Sequence, residues 1–192
     1  MFIIITKKFW VKTMKDLKIV LSFMVIVMFS SVTSAQENIT GPVFDFVSTV
    51  RVDADMAVPK DTVLKVVFDT YKGAEPGKVN GTFLSAARFI NMHVDAGHPQ
   101  ENIKVAIVVH GSTSLDVTQD GFYGEKHGGA TNANAPVIAA LIKEGVKMYI
   151  CGQSAAFRGV TRENILPGVQ FSHSAMTAHA MLQSQGYALI PW

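Results

Sequence analysis

Short apolar runs alternate with helical patterns over most of the chain from residue 64 onwards. One run, residues 103–109, is apolar at every position except Lys104, which is typical of a strand covered on both faces. Four further short segments are read as strands. Strands are therefore predicted near residues 64–68, 103–109, 146–150, 169–171 and 187–190, in one largely parallel sheet.

The segments between these runs carry helix signals. Asn80 is a suitable cap for a helix whose apolar residues recur at helical spacing until Gly97. Asn134, with Pro136 in the first turn, marks the start of a second helix that ends at Glu144. Residues 110–133 are read as a long loop. Further helices are predicted over residues 154–157, 161–165 and 174–185, so the fold class is α/β with helices on both faces of the sheet.

The first 35 residues have the parts of an export signal in order. Lysines precede an apolar run at residues 19–29, and small residues follow it up to Ala35. The run is too short to span a bilayer comfortably as a helix. Residues 1–35 are therefore expected to be a cleaved signal peptide, with Met14 preferred as the start, and the protein to be periplasmic or secreted without stable membrane insertion. An uncleaved anchor is the alternative.

The charge of the chain depends on this leader. The full sequence has a net charge of +2, and the leader contains five lysines and one aspartate, so the remainder has a net charge of −2. The basic character belongs to the leader, and no nucleic-acid partner is expected. Residues 36–60 are irregular in pattern, with a candidate strand at 43–52, and are read as an N-terminal arm that precedes a domain at 61–192.

Cys151 is the chain's single cysteine, so no intramolecular disulfide can form. It lies where the third predicted strand ends and a short helix begins. Backbone amides at such a position lower the pKa of a thiol and favour the thiolate. The alternative, given equal weight from position alone, is a small, buried and inert residue.

A resemblance to a known family extends this interpretation. Residues 150–160, with the sequence ICGQSAAFRGV, resemble the cysteine segment of the DsrE/DsrF-like sulfur-relay family, in which a strand ends in cysteine and a small-residue turn, a basic residue and Gly-Val follow. Residues 141–146, 166–169 and 186–191 are similar to flanking patterns of that family. The resemblance covers residues 64–192.

The resemblance implies a three-layer α/β/α domain with flavodoxin-like layering, assembled as a trimer or hexamer. It implies a sulfur carrier or sulfurtransferase that holds sulfur as a persulfide on Cys151, needs no cofactor, and meets thiol or persulfide donors and acceptors. The best-known relays of the family operate in the cytoplasm, whereas this chain has the pattern of an export signal. The candidate pocket residues around Cys151 are His110, Gly152, Gln153, Ser154 and Arg158.

Other candidate chemistry is weaker. His110 follows the second strand and is favoured slightly as a pocket residue, whereas His127 is expected to be simply exposed. No histidine pair has a spacing suited to a metal, and no Gly-x-Ser-x-Gly or phosphate-loop motif occurs. Two hypotheses remain open: a thiol-based sulfur-transfer protein with a partly exposed Cys151, and a non-catalytic oligomeric binding module of the cell envelope in which Cys151 is packed.

Overall fold

The computed structural model describes residues 38–191. The predicted signal peptide and its cleavage site lie outside the described residues. The arm contains two short strands, β1 (Asn38–Thr40) and β2 (Ser48–Val50), which pair antiparallel. Of the candidate strand at 43–52, only Ser48–Val50 is a strand. Among the described residues, no helix is long and apolar enough to cross a membrane.

Five parallel strands form the central sheet, in the order β6-β5-β4-β3-β7. All five lie within one or two residues of the positions predicted from the apolar runs, so the prediction of a five-stranded parallel sheet is confirmed. The strands are β3 (Leu64–Thr70), β4 (Ile103–Val109), β5 (Lys147–Cys151), β6 (Gln170–Ser172) and β7 (Ala188–Pro191).

Five helices connect these strands. They are α1 (Gly81–Asp95), α2 (Asp120–Lys126), α3 (Asn134–Lys143), α4 (Gly152–Arg158) and α5 (Ala175–Ser184). Asn80 caps α1 as predicted, because its side-chain oxygen accepts the N–H of Thr82 at 3.0 Å. Short 3-10 turns occupy Gln100–Asn102 and Gly111–Leu115.

Three local predictions are wrong. Helix α2 lies within the segment that was read as loop. Residues 161–165 form a turn rather than a helix, closed by the N–H of Thr161 donating to the side-chain oxygen of Asn164 at 2.7 Å. Asn134 is the first residue of α3 rather than its cap, and its N–H donates to the side chain of Asn132 at 3.0 Å.

The strand alternation divides the core between two faces of the sheet. One face, including Val66 and Ile107, packs against α1 and α3 in the larger hydrophobic cluster. The other face presents Val67, Ala106 and Val108 to α5, in a smaller cluster. The result is the predicted three-layer α/β/α arrangement, and the second face is called the α5 face below.

Candidate functional site

Cys151 ends β5 and is the N-cap residue of α4, so its backbone is extended while the next residue is helical. Its Sγ accepts the N–H of Ser154 at 3.5 Å, an ordinary length for a hydrogen bond to sulfur. The thiol therefore occupies the place that an Asn, Asp or Ser oxygen normally takes at a helix start. This position was predicted from the sequence.

Donors around the sulfur lower the pKa of Cys151. Burial raises this pKa, but it is outweighed by hydrogen bonding from the backbone N–H and the hydroxyl of Ser154 and from the N–H groups of Ala175 and Gln153. The pKa of Cys151 consequently lies below its ordinary value, because these donors stabilise the thiolate. The donors come from both α4 and the start of α5.

The thiol is buried in the single chain. Only 5% of Cys151 is exposed, so the expectation of a partly exposed thiol is wrong for this state of the chain. In the sheet register Cys151 is paired with Ser172 at the end of edge strand β6. A cavity of about 200 Å³ opens beside Ser172, between β5, β6 and α5. Tyr149, Phe171, His173 and Met181 are among its lining residues.

Gly152 allows a close approach between two backbone segments. A Cβ at this position would lie 2.8 Å from the carbonyl oxygen of Ser172 and 3.3 Å from that of His173. The connection from β6 to α5 therefore packs directly against the start of α4. Gly152 was predicted as a pocket residue, and the structure gives close backbone packing as the reason for a glycine at this position.

The other predicted pocket residues hold the walls of the site in place. Ser154 Oγ accepts the N–H of Gly111 at 3.1 Å, and the guanidinium of Arg158 donates to the carbonyl oxygen of the same glycine. Gln153 donates from its side-chain amide to His173 O at 3.4 Å. The cysteine helix is thus tied to the loop after β4 on one side and to the connection before α5 on the other.

A carboxylate and two histidines lie near the carboxyl-terminal ends of the strands, as Cys151 does. Asp69 Oδ1 accepts from His110 Nε2 at 3.1 Å and from His179 Nε2 at 2.7 Å. The shared carboxylate assigns the Nε2–H tautomer to both rings when they are neutral. His179 Nδ1 is buried and has no hydrogen-bond partner among the described residues. We call these three residues the His-Asp-His cluster.

The His-Asp-His cluster lies on the same face as the thiol. Val109 is paired with Ile150 in the sheet register, so His110 and Cys151 follow on adjacent strands at the same level. Neighbouring strands are about 4.8 Å apart. The His110 ring is turned towards Asp69 on the far side of its own strand, and among residues 38–191 no hydrogen bond joins His110 to Cys151.

Sequence reasoning missed two members of this cluster. Asp69 is the last polar residue on the α5 face of β3, and alternation from Val67 would have placed it there. His179 is separated from Asp69 by 110 positions, and no local pattern connects them. His127, expected to be simply exposed, is half-buried against Tyr123, with ring centroids 4.3 Å apart. Within residues 38–191, no three His, Cys, Asp or Glu side chains are placed to hold a metal.

Two solved structures are similar to this chain at low sequence identity. A protein of unknown function, MTH1491 from Methanobacterium thermoautotrophicum, is 17% identical, with a TM-score of 0.47 over 67% of this chain and 99% of that one. The ychN protein from E. coli is 15% identical, with a TM-score of 0.49 over the same shares. No curated protein sequence matches the chain. The sequence model of the DsrE/DsrF-like family matches residues 65–192, which include Cys151 and all of the central sheet except Leu64. The chain therefore belongs to the DsrE/DsrF-like family.

Proposed function

We propose that this protein is a sulfur carrier that holds sulfane sulfur as a persulfide on Cys151. The observation that supports the proposal most strongly is the set of donors from Ser154, Ala175 and Gln153 that lowers the pKa of this thiol. A thiolate is the nucleophilic form of cysteine, so these donors raise the fraction of reactive sulfur at neutral pH. Membership of a family associated with sulfur relay supports the same conclusion.

The transfer needs no oxidant or cofactor when the donor already contains sulfane sulfur. The Cys151 thiolate attacks the terminal sulfur of a polysulfide or a protein persulfide, a new S–S bond forms, and the donor leaves as a polysulfide one atom shorter or as a thiolate. In the second step an acceptor thiolate attacks the outer sulfur. The bond to Sγ then breaks, and Cys151 leaves as the thiolate that its donors stabilise.

Access to the buried sulfur requires a small displacement of its cover. The bond from Gln153 to His173 O is long, at 3.4 Å, and is exposed. The 200 Å³ cavity lies beside it, so movement of the β6–α5 connection opens a path from the cavity to Sγ. In this proposal the cavity admits the donor and the connection moves.

We also propose that the protein acts outside the cytoplasm, as a homo-oligomer. The order of lysines, apolar run and small residues over residues 1–35 supports export and cleavage after Ala35. A trimer or hexamer is the assembly that the family resemblance implies, and symmetric homo-oligomers are the usual form of soluble assemblies. Donor and acceptor would then be thiol or persulfide molecules of the cell envelope.

A second candidate function is a non-catalytic oligomeric binding module in which Cys151 is only packed. The observation in its favour is the 5% exposure of Cys151. In this case the donors around Sγ would serve to close the start of α4, as an ordinary cap does. The two candidates differ in the reactivity of the folded thiol.

Alkylation of the folded full chain by iodoacetamide, followed from pH 5 to pH 9, distinguishes these functions. Because Cys151 is the single cysteine, all labelling reports on it. Because the pKa of Cys151 is lowered, a larger fraction of its thiol stays ionised than in a free cysteine when the pH falls below about 8.5, the pKa of a free cysteine. We expect the labelling rate to fall off at a lower pH for the folded chain than for the urea-unfolded chain.

A matched variant tests the cause of this profile. Ser154→Ala removes the hydroxyl donor and keeps the backbone N–H, so its labelling profile should move towards that of the unfolded chain. A folded chain that is labelled only after unfolding would contradict the sulfur-carrier proposal and support the binding module.

A further inference from the structure

Three lysines lie together at the amino-terminal ends of the strands, whereas Cys151 lies at a carboxyl-terminal end. Lys65, Lys104 and Lys147 are at the amino-terminal ends of β3, β4 and β5. Each is two positions before a residue of the α5 face, namely Val67, Ala106 and Tyr149. Strand alternation therefore places all three lysines on the α5 face. We call this group the lysine triad.

The register brings the three charges close together. Lys65 is directly opposite Lys104 on the neighbouring strand. Lys147 is opposite Ala106, two residues beyond Lys104, which makes it a diagonal neighbour at about 8 Å between backbones. Like charges directly opposite one another destabilise a strand pair. The arrangement thus has an electrostatic cost that an anion between the lysines would remove.

Two of the ammonium groups are held in position by uncharged partners. Lys65 Nζ donates to the carbonyl oxygen of Gln185, the C-cap residue of α5, at 3.1 Å. Lys147 Nζ lies 5.7 Å from the ring centroid of Tyr187, within the range of a cation–π contact. In the part of the chain that the structure describes, no carboxylate forms an ion pair with any member of the triad.

The lysine triad surrounds a concave space. A cavity of about 360 Å³ is lined by the three lysines together with Val105, Gly145, Gln185 and Tyr187. None of these lining residues is acidic, and a Cβ added at Gly145 would meet only open space. The cavity therefore combines room for a small molecule with three cationic groups and no competing anion.

We infer that the lysine triad binds a small multivalent oxyanion of the phosphate class. Each ammonium supplies three donors and no acceptor, which suits phosphoryl oxygens. The concave shape favours a soluble phosphate, pyrophosphate or phosphorylated small molecule over the flat surface of an anionic membrane. This site is at the amino-terminal ends of the strands, away from Cys151 at the carboxyl-terminal end of β5, and it is independent of the sulfur-carrier proposal.

Titration of the full chain with inorganic pyrophosphate tests this inference. Binding is followed by calorimetry and by the rise in Tm, at constant ionic strength because surface charges are screened by salt. The variant Lys65→Gln/Lys104→Gln/Lys147→Gln should weaken binding by about tenfold or more. Lys104→Gln alone should weaken it in the same direction and is used if the triple variant does not fold. Lys78 is an exposed lysine in the loop after β3, so Lys78→Gln is the charge-matched control for Lys104→Gln and should bind as the wild type does.

Three outcomes would overturn the inference. The first is no pyrophosphate binding by the wild type. The second is equal binding by Lys104→Gln and by Lys78→Gln, which would indicate a nonspecific charge effect. The third is binding to phosphatidylglycerol vesicles without binding to pyrophosphate, which would make the triad a membrane contact. Binding of inorganic phosphate and pyrophosphate that is lost only in the triad variants would support it.

Discussion

Replacement of Asn91 by alanine should lower the free energy of unfolding by about 2–4 kcal/mol. Asn91 is fully buried in α1 and holds the N-terminal arm through its side-chain amide. It accepts the N–H groups of Val43 and Phe44 at 3.2 and 2.9 Å, and it donates to the carbonyl oxygens of Phe44 and Val47 at 2.8 and 3.3 Å. Alanine leaves these backbone groups without their partner, and the penalty for such groups exceeds the net gain from the bonds themselves.

Arg88→Ala provides the comparison for this experiment. Arg88 lies on the same helix and also contacts the arm, but through one exposed hydrogen bond to Ser48 O at 3.3 Å. Its loss should cost no more than about 1 kcal/mol. Denaturant unfolding measures both free energies, and hydrogen exchange at the Phe44 amide reports release of the arm. Equal unfolding midpoints for the two variants would show that Asn91 does not anchor the arm.

Gly152→Ala should destabilise the fold by about 1–3 kcal/mol and change the reactivity of Cys151. The new Cβ would lie 2.8 Å from Ser172 O, a backbone atom in a short edge strand. Relief of this contact separates the start of α4 from the connection to α5. Because the Ala175 N–H on that side helps to lower the pKa of Cys151, the separation should raise that pKa and slow alkylation at neutral pH.

Gly81→Ala is the matched control, since Gly81 is likewise the first residue of a helix. A Cβ at Gly81 would meet nothing within 4 Å. Alanine there should leave stability unchanged or increase it by up to about 1 kcal/mol, by restricting the unfolded chain. Thermal unfolding of both variants measures the difference. If Gly152→Ala were as stable as Gly81→Ala, the close backbone packing at the cysteine helix would be refuted.

The sheet was predictable because its strands contain short apolar runs, most completely in β4, where the described side chains are buried at every position except Lys104. Segments whose conformation depends on local glycines or on side chain–backbone contacts were not predictable in this way. Helix α2 contains Gly121 and Gly124, which reduce its intrinsic helix propensity. The turn at residues 161–165 is fixed by one Asn164 contact, which a periodic pattern does not reveal.

The candidate site was predictable where its residues are adjacent in sequence. The cap position of Cys151 and the donors from Gln153 and Ser154 follow from a strand that leads directly into a helix. The Ala175 donor and the link between Asp69 and His179 depend on tertiary packing between distant segments. The burial of the thiol also depends on tertiary packing, because the start of α4 packs closely against the β6–α5 connection.

The intact mass of the folded full chain after exposure to inorganic polysulfide tests the proposed sulfur chemistry most directly. The protein is desalted without reductant and measured before and after treatment with dithiothreitol, with Cys151→Ser as the control. The sulfur-carrier proposal predicts a mass increase of one sulfur atom that dithiothreitol removes and that Cys151→Ser lacks. An unchanged mass for the folded wild type, with sulfur gained only after unfolding in urea, would contradict it.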